Sequence, residues 1–193
     1  MAAVSIVVHA SAAGVLAVAA LTPGPNNLIV LRAAAAGGVR GALPAIAGIV
    51  LGSLALAGAA LAGIGPALTA HPRWRTAVTI GGCAYLCLLG ISLFLPKADA
   101  SAQARAPSFA GLFGFQFLNP KAWVMVLTLT SAVDSAAVIA ALFAAVPTVC
   151  LLLWASMGAL ISGALRRPRF GAWFDRTMGA LLVLFALLLA AEA

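Results

Sequence analysis

Two short polar segments interrupt an otherwise apolar chain, and they hold most of the residues that could do chemistry. Their members are Thr22, Pro23, Gly24, Pro25, Asn26 and Asn27 in the first segment, and Gln116, Asn119, Pro120 and Lys121 in the second. A proline inside a helix removes a backbone hydrogen bond and costs about 3 kcal/mol. We therefore expect a helix to be broken at each segment.

Each break is followed by residues that start helices well. Asn119 is a favoured N-cap, and Pro120 suits the first position of the next helix. Asn26 or Asn27 can cap a helix that resumes at Leu28. A helix N-terminus offers free N–H groups and about half a positive charge, which together attract anions.

The ammonium group of Lys121 adds a full positive charge to this arrangement. Two helix N-termini and one ammonium predict a pocket that accepts a carboxylate. The neutral side chains of Gln116, Thr22 and the two asparagines can bind an amino group or a substrate side chain. We therefore predict that all ten residues of the two segments form a substrate-binding and transport site.

Composition determines what kind of protein must position these segments. Of 193 residues, 64% are apolar and only 8% are charged, whereas a soluble domain carries about 25% charged residues. This excludes a soluble enzyme, a nucleic-acid-binding domain and a disordered chain. The net charge of +7 fits loops that face an anionic membrane surface. We predict an all-α integral membrane protein with one transmembrane domain over residues 1–193.

Charged residues divide the chain into six apolar stretches, and a span needs about 20 such residues. Residues 1–20 contain no Lys or Arg, so we expect a span there and not a cleaved signal peptide. The predicted spans lie within residues 1–31, 41–70, 76–96, 109–133, 135–165 and a shorter run at 177–191.

The six spans can be divided into two halves that each open with an interrupted span. Because three is odd, two such halves lie in the membrane with opposite topology, as an inverted repeat. We place repeat one at about 1–96, a loop at 97–108 and repeat two at about 109–193. Gly48 and Gly52 form a G-x-x-x-G pair in span two, which predicts close helix packing.

The basic residues predict the orientation, since Lys and Arg in short loops favour the cytoplasmic side. Two of them, Arg73 and Arg75, fall after span two. The eight that follow spans one, three and five are Arg32, Arg40, Lys97, Arg105, Arg166, Arg167, Arg169 and Arg176. We expect these eight inside and both termini outside. We interpret Arg32 and Arg40 as topology determinants and not as gate residues.

Three stretches resemble the LysE/RhtB family of bacterial amino-acid exporters. Residues 22–26 are similar to its PGP-N motif, residues 82–90 to its G-A-x-Y-L-x-x-x-G stretch, and residues 113–121 to its F-x-x-G…N-P-K motif. The resemblance covers all six spans. It implies export of neutral or basic amino acids or their derivatives across the bacterial plasma membrane, driven by the proton gradient.

A proton-coupled carrier usually needs a buried titratable group. Lys121, His9 or the substrate itself could take this role. The acidic residues fall at loops, span ends or the terminus: Asp99, Asp134, Asp175 and Glu192.

The leading hypothesis is a secondary-active exporter of amino acids or similar small zwitterions, working by alternating access and not an enzyme. The alternative is an exporter of metal ions or other small solutes on a related fold. A thiol-redox carrier would need its cysteines at the broken helices, but Cys83, Cys87 and Cys150 lie in spans three and five. The hypothesis of a non-transporting subunit also stays open.

We expect no cofactor, bound metal or nucleic acid, with a small-molecule substrate and the lipid bilayer as partners. A homo-oligomer is compatible with the sequence.

Overall fold

The computed structural model describes residues 2–64, 70–94, 108–165 and 167–191, and every regular element in these ranges is helical. Lys97, Arg105, Arg166, Asp99, Glu192 and nearly all of the predicted 97–108 loop lie outside the described residues. The helices are α1 (Ala2–Leu21), α2 (Pro25–Ala59, continuing into a π-helical segment, Ala60–Ile64), α3 (Pro72–Ser92), α4 (Phe109–Leu118), α5 (Pro120–Ala132), α6 (Ala136–Leu160), α7 (Ser162–Leu165) and α8 (Pro168–Ala191).

Several of these helices are apolar enough for a bilayer. Within the described residues, three are also long enough to cross one: Pro25–Ile64, Ala136–Leu160 and Arg169–Leu188. Shorter apolar helices cover Val7–Leu21, Thr76–Ser92 and Phe109–Leu118. The prediction of a helical membrane protein is confirmed.

The first break is shorter than the sequence indicated. Only Thr22, Pro23 and Gly24 leave the helical conformation, and α2 begins directly at Pro25. The expectation that a helix resumes at Leu28 behind an asparagine cap is wrong. Gly24 is extended (φ −165°, ψ 177°) and takes the N-cap position, because Pro25 already has the φ of a first helical residue and needs no N–H partner there.

A second irregularity divides α2 into two arms. Gly38 has φ 68° and ψ −179°, a backbone region that side chains with a Cβ rarely adopt. The chain turns at this glycine. The first arm runs from Pro25 to the turn, and the second runs from the turn to Ala59.

The last helix is longer than the predicted apolar run. It begins at Pro168, and its carboxylate Asp175 is only 9% exposed, so the expectation that Asp175 lies at a span end is corrected. The physical reason is an ion pair with Arg32, whose Nη2 donates to Asp175 Oδ2 over 3.0 Å. A buried carboxylate is tolerated inside an apolar helix when a cation satisfies it.

The apolar core has two parts, separated at the level of the two helix breaks. We call one end of the bundle the arginine side: it contains the Gly38 turn and the start of α8. The arginine-side core is built around Val30, Ala34, Ile49, Leu112, Phe115 and Ala155. The far-side core is built around Leu16, Leu56, Ala122, Val126, Ile139 and Phe143. The two helices that flank each break therefore pack in different cores. The first arm of α2 and α4 lie in the arginine-side core, and α1 and α5 lie in the far-side core.

Glycines bring the helices of the arginine-side core into backbone contact. A Cβ on Gly48 would lie 2.5 Å from the Phe109 carbonyl oxygen, and one on Gly52 would lie 2.6 Å from that of Phe113. Gly158 of α6 meets the carbonyl of Leu31 in the same manner. Any added methyl group there would push two helices apart.

We predict that Gly48→Ala destabilises the protein although alanine favours helices. Overpacking costs about 1–3 kcal/mol, and the neighbour here is backbone that cannot rotate away. The midpoint of thermal unfolding in detergent should fall by several degrees. Gly114→Ala is the matched control, because a Cβ there meets nothing within 4 Å. An equal effect of both substitutions would contradict the packing described.

Candidate functional site

The two helix breaks meet at a cavity of about 40 Å³ between the two cores. A water molecule needs about 10–15 Å³ measured this way, so the cavity holds roughly three waters. Seven of the ten predicted site residues line it: Gly24, Pro25, Asn26, Asn27, Gln116, Asn119 and Lys121. Thr22, Pro23 and Pro120 are outside the lining, although the Thr22 carbonyl takes part in the contacts below.

Lys121 connects the second break to the first. It is the second residue of α5, and its ammonium Nζ donates a hydrogen bond to the carbonyl oxygen of Thr22 over 2.9 Å. The same Nζ lies 3.1 Å from the position that a Cβ of Gly24 would take. The ammonium is therefore next to the N-terminus of α2. Glycine at position 24 leaves the space that this approach requires.

Asn27 closes the end of the helix that precedes the break. Its Nδ2 donates to the carbonyls of Ala20 and Thr22, both over 2.9 Å, and the residue is only 4% exposed. The last carbonyls of a helix have no partner within the helix. Asn27 therefore serves the outgoing helix α1, and it is not the N-cap of α2.

Asn26 and Gln116 form a reciprocal amide pair across the two breaks. Asn26 Nδ2 donates to Gln116 Oε1 over 3.0 Å, and Gln116 Nε2 donates to Asn26 Oδ1 over 3.3 Å. Gln116 Nε2 also donates to the Leu112 carbonyl over 3.0 Å, and the side chain has no exposed surface. The first turn of α2 is thus joined to the last turn of α4.

Asn119 is the N-cap of α5, as the sequence predicted. Its side-chain oxygen accepts from the Lys121 backbone N–H over 3.1 Å, and Pro120 takes the first helical position. At the start of α2, by contrast, Gly24 provides no capping side chain. The first N–H groups of α2 therefore meet the cavity without a side-chain oxygen to satisfy them.

Sequence reasoning missed several residues of the cavity wall. Ser53 is 6% exposed and brings a hydroxyl to the floor of the cavity from the second arm of α2. Pro147 lies within α6 and faces the cavity. A lone polar residue and a mid-span proline were the available signals. The remaining apolar wall has no such signal: Ala20, Ile49, Ala122, Met125, Phe143 and Leu151.

The described lining of the cavity carries positive charge and no negative charge. Among the described residues that line it, Lys121 is a cation and none is a carboxylate. The N-terminus of α2 adds partial positive charge. Amide, hydroxyl and backbone oxygens are the acceptors that the lining offers. Such a site favours an anionic group at one end of a small ligand and a hydrogen-bond donor at the other.

Comparisons with known proteins identify the family of this chain. The profile of the LysE type translocator family matches residues 17–193. A protein of Salmonella typhimurium (strain LT2) named cysteine/O-acetylserine efflux protein is 33% identical over 181 residues, covering 86% of this chain and 89% of its own length. The protein of that name in Escherichia coli (strain K12) is 30% identical with the same coverage. A comparison with solved structures gave no significant match.

We predict that Asn27→Ala destabilises the protein by leaving the Ala20 and Thr22 carbonyls with one partner fewer. A buried polar group left unpaired costs about 1–3 kcal/mol, so the thermal unfolding midpoint in detergent should fall by several degrees. Thr22→Val is the control, because the exposed Thr22 hydroxyl donates only to the Val18 carbonyl, four residues earlier, and bridges no other segment. If Asn27→Ala unfolds no earlier than Thr22→Val, Asn27 does not hold the break together.

Proposed function

The chain belongs to the LysE type translocator family, and from this premise we propose that it exports small neutral amino acids across the membrane. The protein is a transporter and not an enzyme. The observation that carries the proposal is the hydrogen bond from Lys121 Nζ to the Thr22 carbonyl. It puts the one cation of the described cavity lining beside the uncapped start of α2, where a carboxylate is best received.

The substrate carboxylate is proposed to bind between Lys121 and the first N–H groups of α2. The ammonium supplies a full charge, and the helix terminus supplies donors and a partial charge of the same sign. The bond to Thr22 is to a neutral carbonyl. An arriving carboxylate is a stronger acceptor for the ammonium, since charge-assisted hydrogen bonds are roughly twice as strong as neutral ones.

The amino group is proposed to bind side-chain oxygen atoms of the cavity lining. Asn26 Oδ1, Gln116 Oε1 and the hydroxyl of Ser53 are the acceptors that the cavity offers. A basic amino acid carries a second cation, and the described lining has no carboxylate to pair with it. The site therefore favours a neutral side chain over a basic one.

The size of the cavity and the relatives both support a small substrate. The cavity is small, at about 40 Å³. Cysteine and O-acetylserine, which appear in the names of the relatives, are both small and neutral. We propose a substrate of this class, a zwitterion with a short polar side chain.

Alternating access is the proposed mechanism, with two inverted repeats moving about the cavity. Repeat one at about 1–96 and repeat two at about 109–193 each open with an interrupted helix, and each carries a proline within its second span, at Pro44 and Pro147. Each broken span contributes one arm to each core. We propose that rocking of the repeats opens first one side and then the other.

Lys121 is the titratable side chain of the described cavity lining, so we propose that proton binding is linked to transport there.

The protein is proposed to reside in the bacterial inner membrane with the arginine side in the cytoplasm and both termini outside. Exposed Arg40, Arg167 and Arg169 on that side support this orientation.

Export should depend on the site residues. Cells loaded with dipeptides of small neutral amino acids should release the free amino acids several-fold faster when they contain this protein. Lys121→Met, Asn119→Ala and Asn26→Ala should each lower that gain at least fivefold, because each removes a donor or acceptor or the cap of α5. Mass spectrometry of medium and cell extract measures the release.

Ser156→Ala is the control, since the Ser156 hydroxyl is exposed and donates only to Leu152 of its own helix. All variants must reach the membrane in equal amounts. Undiminished export by the three site variants would refute the site. No export across the panel by the unaltered protein would instead favour the alternative cargo, a metal ion or another small solute.

Thiol labelling should reveal the orientation. In a variant whose three native cysteines are replaced, Arg40→Cys should react with a membrane-impermeant maleimide only in inside-out vesicles. Asp134→Cys, between α5 and α6, should react only in right-side-out vesicles or intact spheroplasts. Both positions are exposed. Labelling of both from the same side would contradict the proposed topology.

A further inference from the structure

A largely buried ion pair joins the first arm of α2 to the last helix. Arg32 Nη2 donates to Asp175 Oδ2 over 3.0 Å, and Arg32 Nε lies close to Asp175 Oδ1, so the guanidinium faces both carboxylate oxygens. The side chains are 21% and 13% exposed. The residues are 143 positions apart in the chain. The transport site described above uses neither of them.

The pair lies between the cavity and the arginine side. Arg32 is six residues beyond Asn26, or about 9 Å along the helix at 1.5 Å per residue. On α6, Gly158 is seven residues beyond Leu151 of the cavity wall, or about 10 Å. Gly158 meets the carbonyl of Leu31, which precedes Arg32. Along both α2 and α6, the layer that contains Arg32 therefore lies one and a half to two helical turns from the cavity, toward the arginine side.

This layer is closed. Val30, Ala34 and Ala155 have no exposed surface. Beside them, a Cβ on Gly48 would lie 2.5 Å from the Phe109 carbonyl oxygen, so the second arm of α2 is in backbone contact with α4. Nothing the size of an amino acid passes through such packing. The path from the cavity to the arginine side must be opened by separating these helices.

The contact with Asp175 argues against the interpretation of Arg32 as a topology determinant and not a gate residue. We propose that the Arg32–Asp175 ion pair is the gate on the arginine side and that this structure shows the gate closed. The inference rests on the proposed transport function. Apolar contacts and glycine crossings hold helices together in any state, whereas a hydrogen-bonded ion pair fixes one particular register of α2 against α8. Opening the path requires the pair to separate and its charges to find water or substrate.

The neighbouring arginines show why this pair differs from the other charges. Arg40, Arg169 and Arg176 on the same side are exposed. Arg32 is instead directed into the bundle against a carboxylate. Its charge is not needed at the surface to satisfy the positive-inside pattern, because several exposed arginines already do so. Arg176 follows Asp175 directly in α8 and is therefore a matched control.

Accessibility of the cavity from each side tests the gate without any substrate. In the variant without native cysteines, Ser53→Cys places a thiol on the cavity floor. A membrane-impermeant maleimide should label it slowly from the arginine side, whose identity Arg40→Cys reports. Adding Asp175→Asn or Arg32→Gln should raise that rate at least tenfold. Arg176→Gln should leave it unchanged, and the exchange Arg32→Asp with Asp175→Arg should lower it again.

A second measurement covers the case in which the neutral variants unfold. Arg32→Cys with Asp175→Cys, joined by a short bis-maleimide, should hold this side shut. The measurement for this variant is amino-acid export and not labelling of the Ser53 position. Export should fall at least tenfold when the folded protein is cross-linked. An unchanged labelling rate in Asp175→Asn, or continued flux through the cross-linked protein, overturns the gate. Failure of the unaltered protein to export any amino acid refutes the proposed function while leaving the labelling result valid.

Discussion

The structure depends on the pairing of backbone groups at two interruptions of apolar helices. In hydrocarbon, each unpaired N–H or C=O costs several kcal/mol, so such a break survives only where protein groups or a lined cavity satisfy it. Asn27 and Lys121 both donate to carbonyls at the end of α1, and Asn119 caps α5. The side chains that make the breaks tolerable are the same ones that create a polar cavity.

The pairing also explains why the cavity can respond to a ligand. Lys121 comes from the second break but satisfies a carbonyl of the first, and the side-chain amides of Asn26 and Gln116 hydrogen-bond each other across the two breaks. In the proposed mechanism, a ligand that competes for these groups loosens the contact between the two halves. Binding and movement would then be linked, because the same hydrogen bonds serve both. The Arg32–Asp175 pair lies in the next layer toward the arginine side, so such a movement would act on this pair.

The positions of the two breaks could be predicted from the sequence, but the start of α2 and the Arg32–Asp175 contact could not. Proline, glycine and asparagine clusters located both breaks, since few residues can end and restart a helix. The start of α2 at Pro25 was missed because an asparagine cap and a Pro25 start compete, and the conformation of Gly24 decides between them. The partnership of Arg32 with Asp175 could not be read from one sequence, because 143 residues separate them and only tertiary packing brings them together.

Recognition of a carboxylate by Lys121 and the start of α2 can be tested by ligand-induced stabilisation of the purified protein. A ligand that binds only the folded state raises the unfolding midpoint. We expect L-serine or O-acetylserine to raise it by several degrees, and ethanolamine, which lacks the carboxylate, to leave it unchanged. Lys121→Met should abolish the effect of the amino acids. Equal stabilisation by ethanolamine, or full stabilisation of Lys121→Met, would contradict the account.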